Sequence, residues 1–140
     1  MSQLRMPPLE HLRAAAARVG RAFGCRLIVL FGSASRADTA APEDLDLGVL
    51  GAGALDAVAV TNRLIRELGV QQVDIADLGR ADPLLLALVA RDGIPLFEAE
   101  PGGFACFASV AMRRYWDTRK FREAERAEIR ARVAGGSFGR

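Results

Sequence analysis

The chain has 140 residues, 51% hydrophobic and 26% charged, which suits one globular domain with a real apolar core and leaves no room for several. Net charge is +2, so the whole-chain charge gives no strong pull toward nucleic acid or a membrane surface. The longest apolar run, Pro83 to Ala90, is far shorter than the roughly 18 residues of a membrane span. No charged-then-apolar export pattern opens the chain, where Pro7-Pro8 intervenes early, and a cytoplasmic protein is expected. Cys25 and Cys106 lie in apolar surroundings without metal-ligand spacing and are expected to be buried free thiols.

In chain order, residues 7–23 predict a first helix, begun by Pro7 and Pro8. Its apolar stripe is Leu9, Leu12, Ala16, Val19 and Phe23, and Gly24 is placed to stop it. His11, the single histidine, has no zinc-ligand partners and is expected at the surface. Residues 25–31 are short, apolar and rich in branched side chains, as a buried central strand requires. A helical turn is expected over 32–37 with Ser33 as a candidate N-cap, and a loop containing Pro42 over 38–44. A second strand follows from Asp44 or Leu45 to Leu50.

Residues 54–68 predict a second helix whose apolar face is Leu55, Val58, Leu64, Ile65 and Leu68, with Gly69 as C-cap. Residues 70–76 predict a third strand, with Val73 and Ile75 on one face and Gln72 and Asp74 on the other. Asp82-Pro83 opens a third helix to about Arg91, and residues 94–98 form a last strand that Pro95 assigns to an edge. Pro101-Gly102-Gly103 marks the main break in composition. Beyond it, 104–133 predicts one long helix or two shorter ones, with an apolar start and a charged end. Strands one and two are joined by a loop, which permits antiparallel pairing. The expected architecture is α/β (α+β), a mixed β-sheet flanked by helices with a C-terminal helical tail. The expected division is a core over 1–100, a tail over 101–134 and a disordered end over 135–140.

The chemistry concentrates after the first strand. The apolar run Leu27-Ile28-Val29-Leu30-Phe31 stops at Gly32-Ser33, and after ten intervening residues comes Asp44-Leu45-Asp46. On a strand, residues i and i+2 share a face about 7 Å apart, so Asp44 and Asp46 are spaced to share a hard divalent cation or to flank a pair. A Gly-Ser turn offers backbone N–H groups and a hydroxyl to phosphate. Asp74 projects from the third strand. Asp77, at odd spacing from it, competes as the third carboxylate but is expected on the other face or past the strand end. Neither Gly-Ser nor Asp-x-Asp is specific alone; their combination with the strand pattern points to transfer of a nucleotidyl or phosphoryl group.

Gly-Ser, ten residues, then Asp-x-Asp resembles the signature of the polymerase-β-like nucleotidyltransferases. The short chain is similar to their minimal MNT-domain branch and, within it, to MntA-type antitoxins that act on HEPN-domain (HepT-type) toxins. The resemblance implies a nucleotidyltransferase fold over about residues 10–100, with Asp44, Asp46 and Asp74 as catalytic residues and ligands of two Mg²⁺ ions. It implies that Gly32, Ser33 and Arg36 bind the triphosphate of ATP and that AMP passes to a tyrosine hydroxyl of a toxin held in a hetero-oligomer. No direct nucleic-acid or membrane contact is implied. Ser35 replaces the usual alanine, Ala37 the usual glycine, and Glu43 stands where serine commonly precedes the first aspartate. In the tail, Tyr115-Trp116-Asp117 is similar to the Tyr-x-Asp of MntA-like chains. A non-catalytic binding module and a small-molecule nucleotidyltransferase are the alternatives to a toxin-modifying enzyme.

Overall fold

The structure is a computed structural model and describes residues 6–32 and 45–134. The turn and loop expected over 33–44 and the end at 135–140 lie outside the described residues. Eight elements follow one another: α1 (Leu9–Phe23), β1 (Cys25–Phe31), β2 (Leu45–Gly51), α2 (Ala57–Leu68), β3 (Val73–Asp77), α3 (Pro83–Asp92), β4 (Ile94–Glu98) and α4 (Gly103–Ala134). The four strands form a mixed sheet in the order β3-β2-β1-β4. β1 pairs antiparallel with β2 and with β4, and β2 pairs parallel with β3. The apolar β1 is therefore interior to the sheet, and Pro95 lies on an edge strand, where its missing N–H costs no ladder bond on the open side.

Side-chain alternation splits the sheet into two faces. Leu45, Leu47 and Val49 of β2, with Ile28 and Leu30 of β1, pack on one side with α1 and α2, which contribute Leu12, Val19, Val60 and Leu64. Leu27 and Val29 of β1 pack on the other side with Leu78, with Leu86 and Val89 of α3 and with Ala111 of α4. The sheet is thus covered on both faces, which explains why β1 reads as a continuous apolar run rather than an alternating one.

Several boundaries differ from the sequence reading. α1 starts at Leu9, after the two prolines, and its outer stripe residues Leu9 and Phe23 are exposed; Ala15 and Gly20 are buried in their place. α2 begins at Ala57, not Ala54, because the Asp56 side chain accepts a hydrogen bond from the Ala59 N–H at 3.1 Å and caps the helix. That start puts Val60, Leu64 and Leu68 on the buried face at i, i+4 spacing and leaves Val58 71% exposed on the opposite side. β3 begins at Val73 rather than Val70, where its register with Leu45 of β2 begins; Val70 packs beside the core as a loop residue.

Asp82 caps α3 as its position predicts, accepting from the Leu85 N–H at 2.8 Å, with Pro83 in the first turn. α4 is one continuous helix of 32 residues. No glycine or proline interrupts it after Gly103, and the Glu98 carboxylate accepts from the Phe104 N–H at its start at 2.8 Å. α4 turns Phe104, Phe107 and Ala111 inward at i, i+3 and i+7; Cys106 lies at the edge of that face and is exposed, not buried as expected. Cys25 is buried, and burial pushes its thiol pKa up. His11 is at the surface. Glu67 of α2 accepts from Arg18 of α1 at 2.9 Å and from Arg63 at 3.2 Å; the two guanidiniums, Arg18 first, hold its carboxyl below the usual range.

Candidate active site

The site begins where β1 ends. Phe31, the last residue of β1, is paired across the antiparallel ladder with Asp46. On the other side of β2, the parallel register pairs Asp46 with Asp74. Paired residues on neighbouring strands point to the same face, so Asp46 and Asp74 stand side by side, with backbones a strand spacing of about 4.8 Å apart. Asp46 is half-buried and Asp74 exposed. The two carboxylates lie at the end of the sheet where β1 stops, on the face that α3 and α4 cover farther along.

Gly32 completes the described part of the site. It has φ of +73°, and a Cβ built there would run into the Asp46 carboxylate. Both facts require glycine: the left-handed backbone disfavours a side chain, and the space is taken by Asp46. At the end of β1 the Gly32 backbone therefore sits directly against the Asp46 side chain. Gly48, two residues along β2 on the same face, is also small for a reason, since a Cβ there would lie 2.9 Å from Leu78.

Asp77 occupies a different place. It pairs with Val49, on the sheet face opposite to that of Asp46 and Asp74. Its Oδ1 accepts the Gly79 N–H at 3.0 Å and its carbonyl accepts the Arg80 N–H at 3.1 Å, so it shapes the turn that ends β3. Of the other residues singled out in the sequence, Ser33, Arg36 and Asp44 lie outside the described residues. The structure brings together Gly32, Asp46 and Asp74. Phe31, whose ring face of the sheet is shared with the two carboxylates, was not among the sequence candidates; its position at the end of an apolar strand was the available signal.

No family model matches the chain, and no curated protein matches it. Solved structures do. A toxin–antitoxin structure with AMP-PNP is 26% identical with a TM-score of 0.69, over 84% of this chain and 97% of that one. An MNT antitoxin structure in complex with the tri-AMPylated HEPN toxin of Shewanella oneidensis is 25% identical with a TM-score of 0.67, over 86% of this chain and 98% of that one. The chain is MntA-like. A further structure, an MntA–HepT complex with two Asp→Glu changes at alternate positions, is 26% identical with a TM-score of 0.66, over 80% of this chain and 93% of that one.

The MntA-like fold thus spans 84% of the chain, as an α/β nucleotidyltransferase-type sheet with a C-terminal helix. Within it, two carboxylates at one sheet end supply hard oxygen donors of the kind that suit Mg²⁺. Among the described residues no group of three or more His, Cys, Asp or Glu is placed to hold a metal. The described carboxylates at this end of the sheet are two, Asp46 and Asp74, oxygen donors of the type a hard divalent ion takes. Among the described residues, no helix is long and apolar enough to cross a membrane.

Proposed function

We propose that this chain is a Mg²⁺-dependent adenylyltransferase antitoxin, moving AMP from ATP to a tyrosine hydroxyl of a HEPN-domain, HepT-type toxin and so neutralising it. The observation that carries this reading is the side-by-side pairing of Asp46 and Asp74 against the Gly32 turn, in a chain whose fold matches MntA structures over nearly their full length. The structures it resembles include one with AMP-PNP and one with an AMPylated toxin, and that pairing of nucleotide with modified partner supports the same chemistry here.

In the proposed reaction the acceptor oxygen attacks the α-phosphorus of ATP. A phosphorus–oxygen bond forms to the tyrosine, the bond to the β-phosphate breaks, and pyrophosphate leaves. Asp74, the more exposed carboxylate, takes the proton of the attacking hydroxyl. Gly32 and Ser33 bind the triphosphate through backbone N–H groups and the hydroxyl, and Arg36 pairs with phosphate. Asp44, Asp46 and Asp74 would hold two Mg²⁺ ions, which when bound neutralise the charge on the attacking and leaving oxygens. Residues 1–100 form the transfer core in this reading, and 101–134 the segment that docks on the toxin.

The test is the double variant Asp44→Asn/Asp46→Asn. It is expected to fold and to bind the partner, and to abolish transfer of labelled AMP from ATP to a partner tyrosine, read by mass spectrometry. In cells it should fail to neutralise a toxic partner at matched expression. Rescue of growth equal to that of the parent would mean that contact alone neutralises, and would overturn the catalytic reading.

A further inference from the structure

We infer that a cavity beneath the first turns of α4 binds a small amphipathic monoanion, an aliphatic or aromatic body carrying one carboxylate. The cavity measures about 530 Å³, within the range of small-molecule sites. Its floor is the cross-strand pair Leu27 and Leu50. Leu78, Leu86, Phe107 and Ala111 form its walls, all from the second core cluster or its edge. Such a lining favours an apolar ligand body through burial alone, by about 25 cal/mol for each Å² removed from water.

The polar groups are few and of one dominant sign. Arg26 and Arg114 line the cavity, and neither guanidinium has a hydrogen bond or ion pair among the described residues. Glu100 is the one carboxylate on the lining. Two cations against one anion leave a single positive charge unmatched, which suits one carboxylate on the ligand better than a cation or a multiply charged phosphate.

The cavity lies farther along the same sheet face than Asp46. Leu50 is four residues from Asp46 along β2, about 13 Å at strand rise, and Leu78 lies across the intervening Gly48 at close contact.

Cys106 is exposed and lines the same cavity, whereas Cys25 is buried, so alkylation of Cys106 reports occupancy. The probe is decanoate below its micelle concentration, with decyltrimethylammonium as the cationic control of equal chain length. Decanoate is expected to slow N-ethylmaleimide labelling of Cys106 saturably in the full chain, and the cation is not. Arg26→Ser/Arg114→Ser should need about tenfold more decanoate for the same protection, the worth of one charge-assisted contact. Val110→Trp, at an exposed lining position, should fill the opening and abolish the decanoate effect. Protection by the cation equal to that by decanoate, no protection by decanoate, or parent-like protection in the arginine double variant would each overturn the proposal.

Discussion

Two aspartates three residues apart on one strand end up with different surroundings, because one residue of register reverses the face of a side chain. Asp74 stands beside Asp46; Asp77 lies on the other face and accepts the Gly79 N–H. Asp74→Asn is therefore expected to bind Mg-ATP and to lose transfer activity by about a hundredfold or more, the usual contribution of a general base. Asp77→Asn keeps an oxygen for Gly79 and should retain most activity. Rates of labelled-AMP transfer for the two variants check this, and the reverse order would move the third carboxylate to Asp77. The opposite facing of Asp74 and Asp77 was legible from alternation alone. The contact of Asp46 with Gly32 was not, since it depends on the left-handed backbone of Gly32 and on the pairing of β1 with β2.

At the level of elements, local chemistry was readable where a residue acts on its own neighbours and unreadable where a distant strand decides. Asp82-Pro83 marked the start of α3 correctly because an N-cap needs only the three residues after it. Asp56 acts in the same way on Ala59, but the small residues before it extended the apparent helix back to Ala54. The start of β3 was set by β2, across the sheet, and no pattern within residues 70–76 carries that information. The cap makes a direct prediction: Asp56→Ala should lower stability by about 1 kcal/mol, seen as a lower urea midpoint at unchanged slope. Asp56→Ser should recover most of the loss, because a hydroxyl can also accept from Ala59.

For the molecule as a whole, the mixed sheet with helices on it was legible, and so were the interior place of β1 and the edge place of Pro95. The order β3-β2-β1-β4 was not, because it depends on which strand β4 pairs with, a long-range choice that alternation does not encode. A site whose described half is two carboxylates should repel a bare triphosphate. ATP with Mg²⁺ is accordingly expected to raise the thermal midpoint by several degrees at a hundredfold excess over Kd, and ATP with EDTA hardly at all. Equal protection in both conditions, measured by thermal unfolding, would argue against a metal-bridged nucleotide. α4 is packed at its start, yet every residue from Glu123 to Ala131 is exposed, and its support there is local, as in the Arg119–Glu123 pair at 2.9 Å. Helix–coil theory separates a costly nucleus from nearly neutral propagation. The packed first turns are a permanent nucleus, so the outer half only propagates, and its helical length shifts with salt and temperature. A partner that docks on it meets a helix already seeded, and need order only the last few turns.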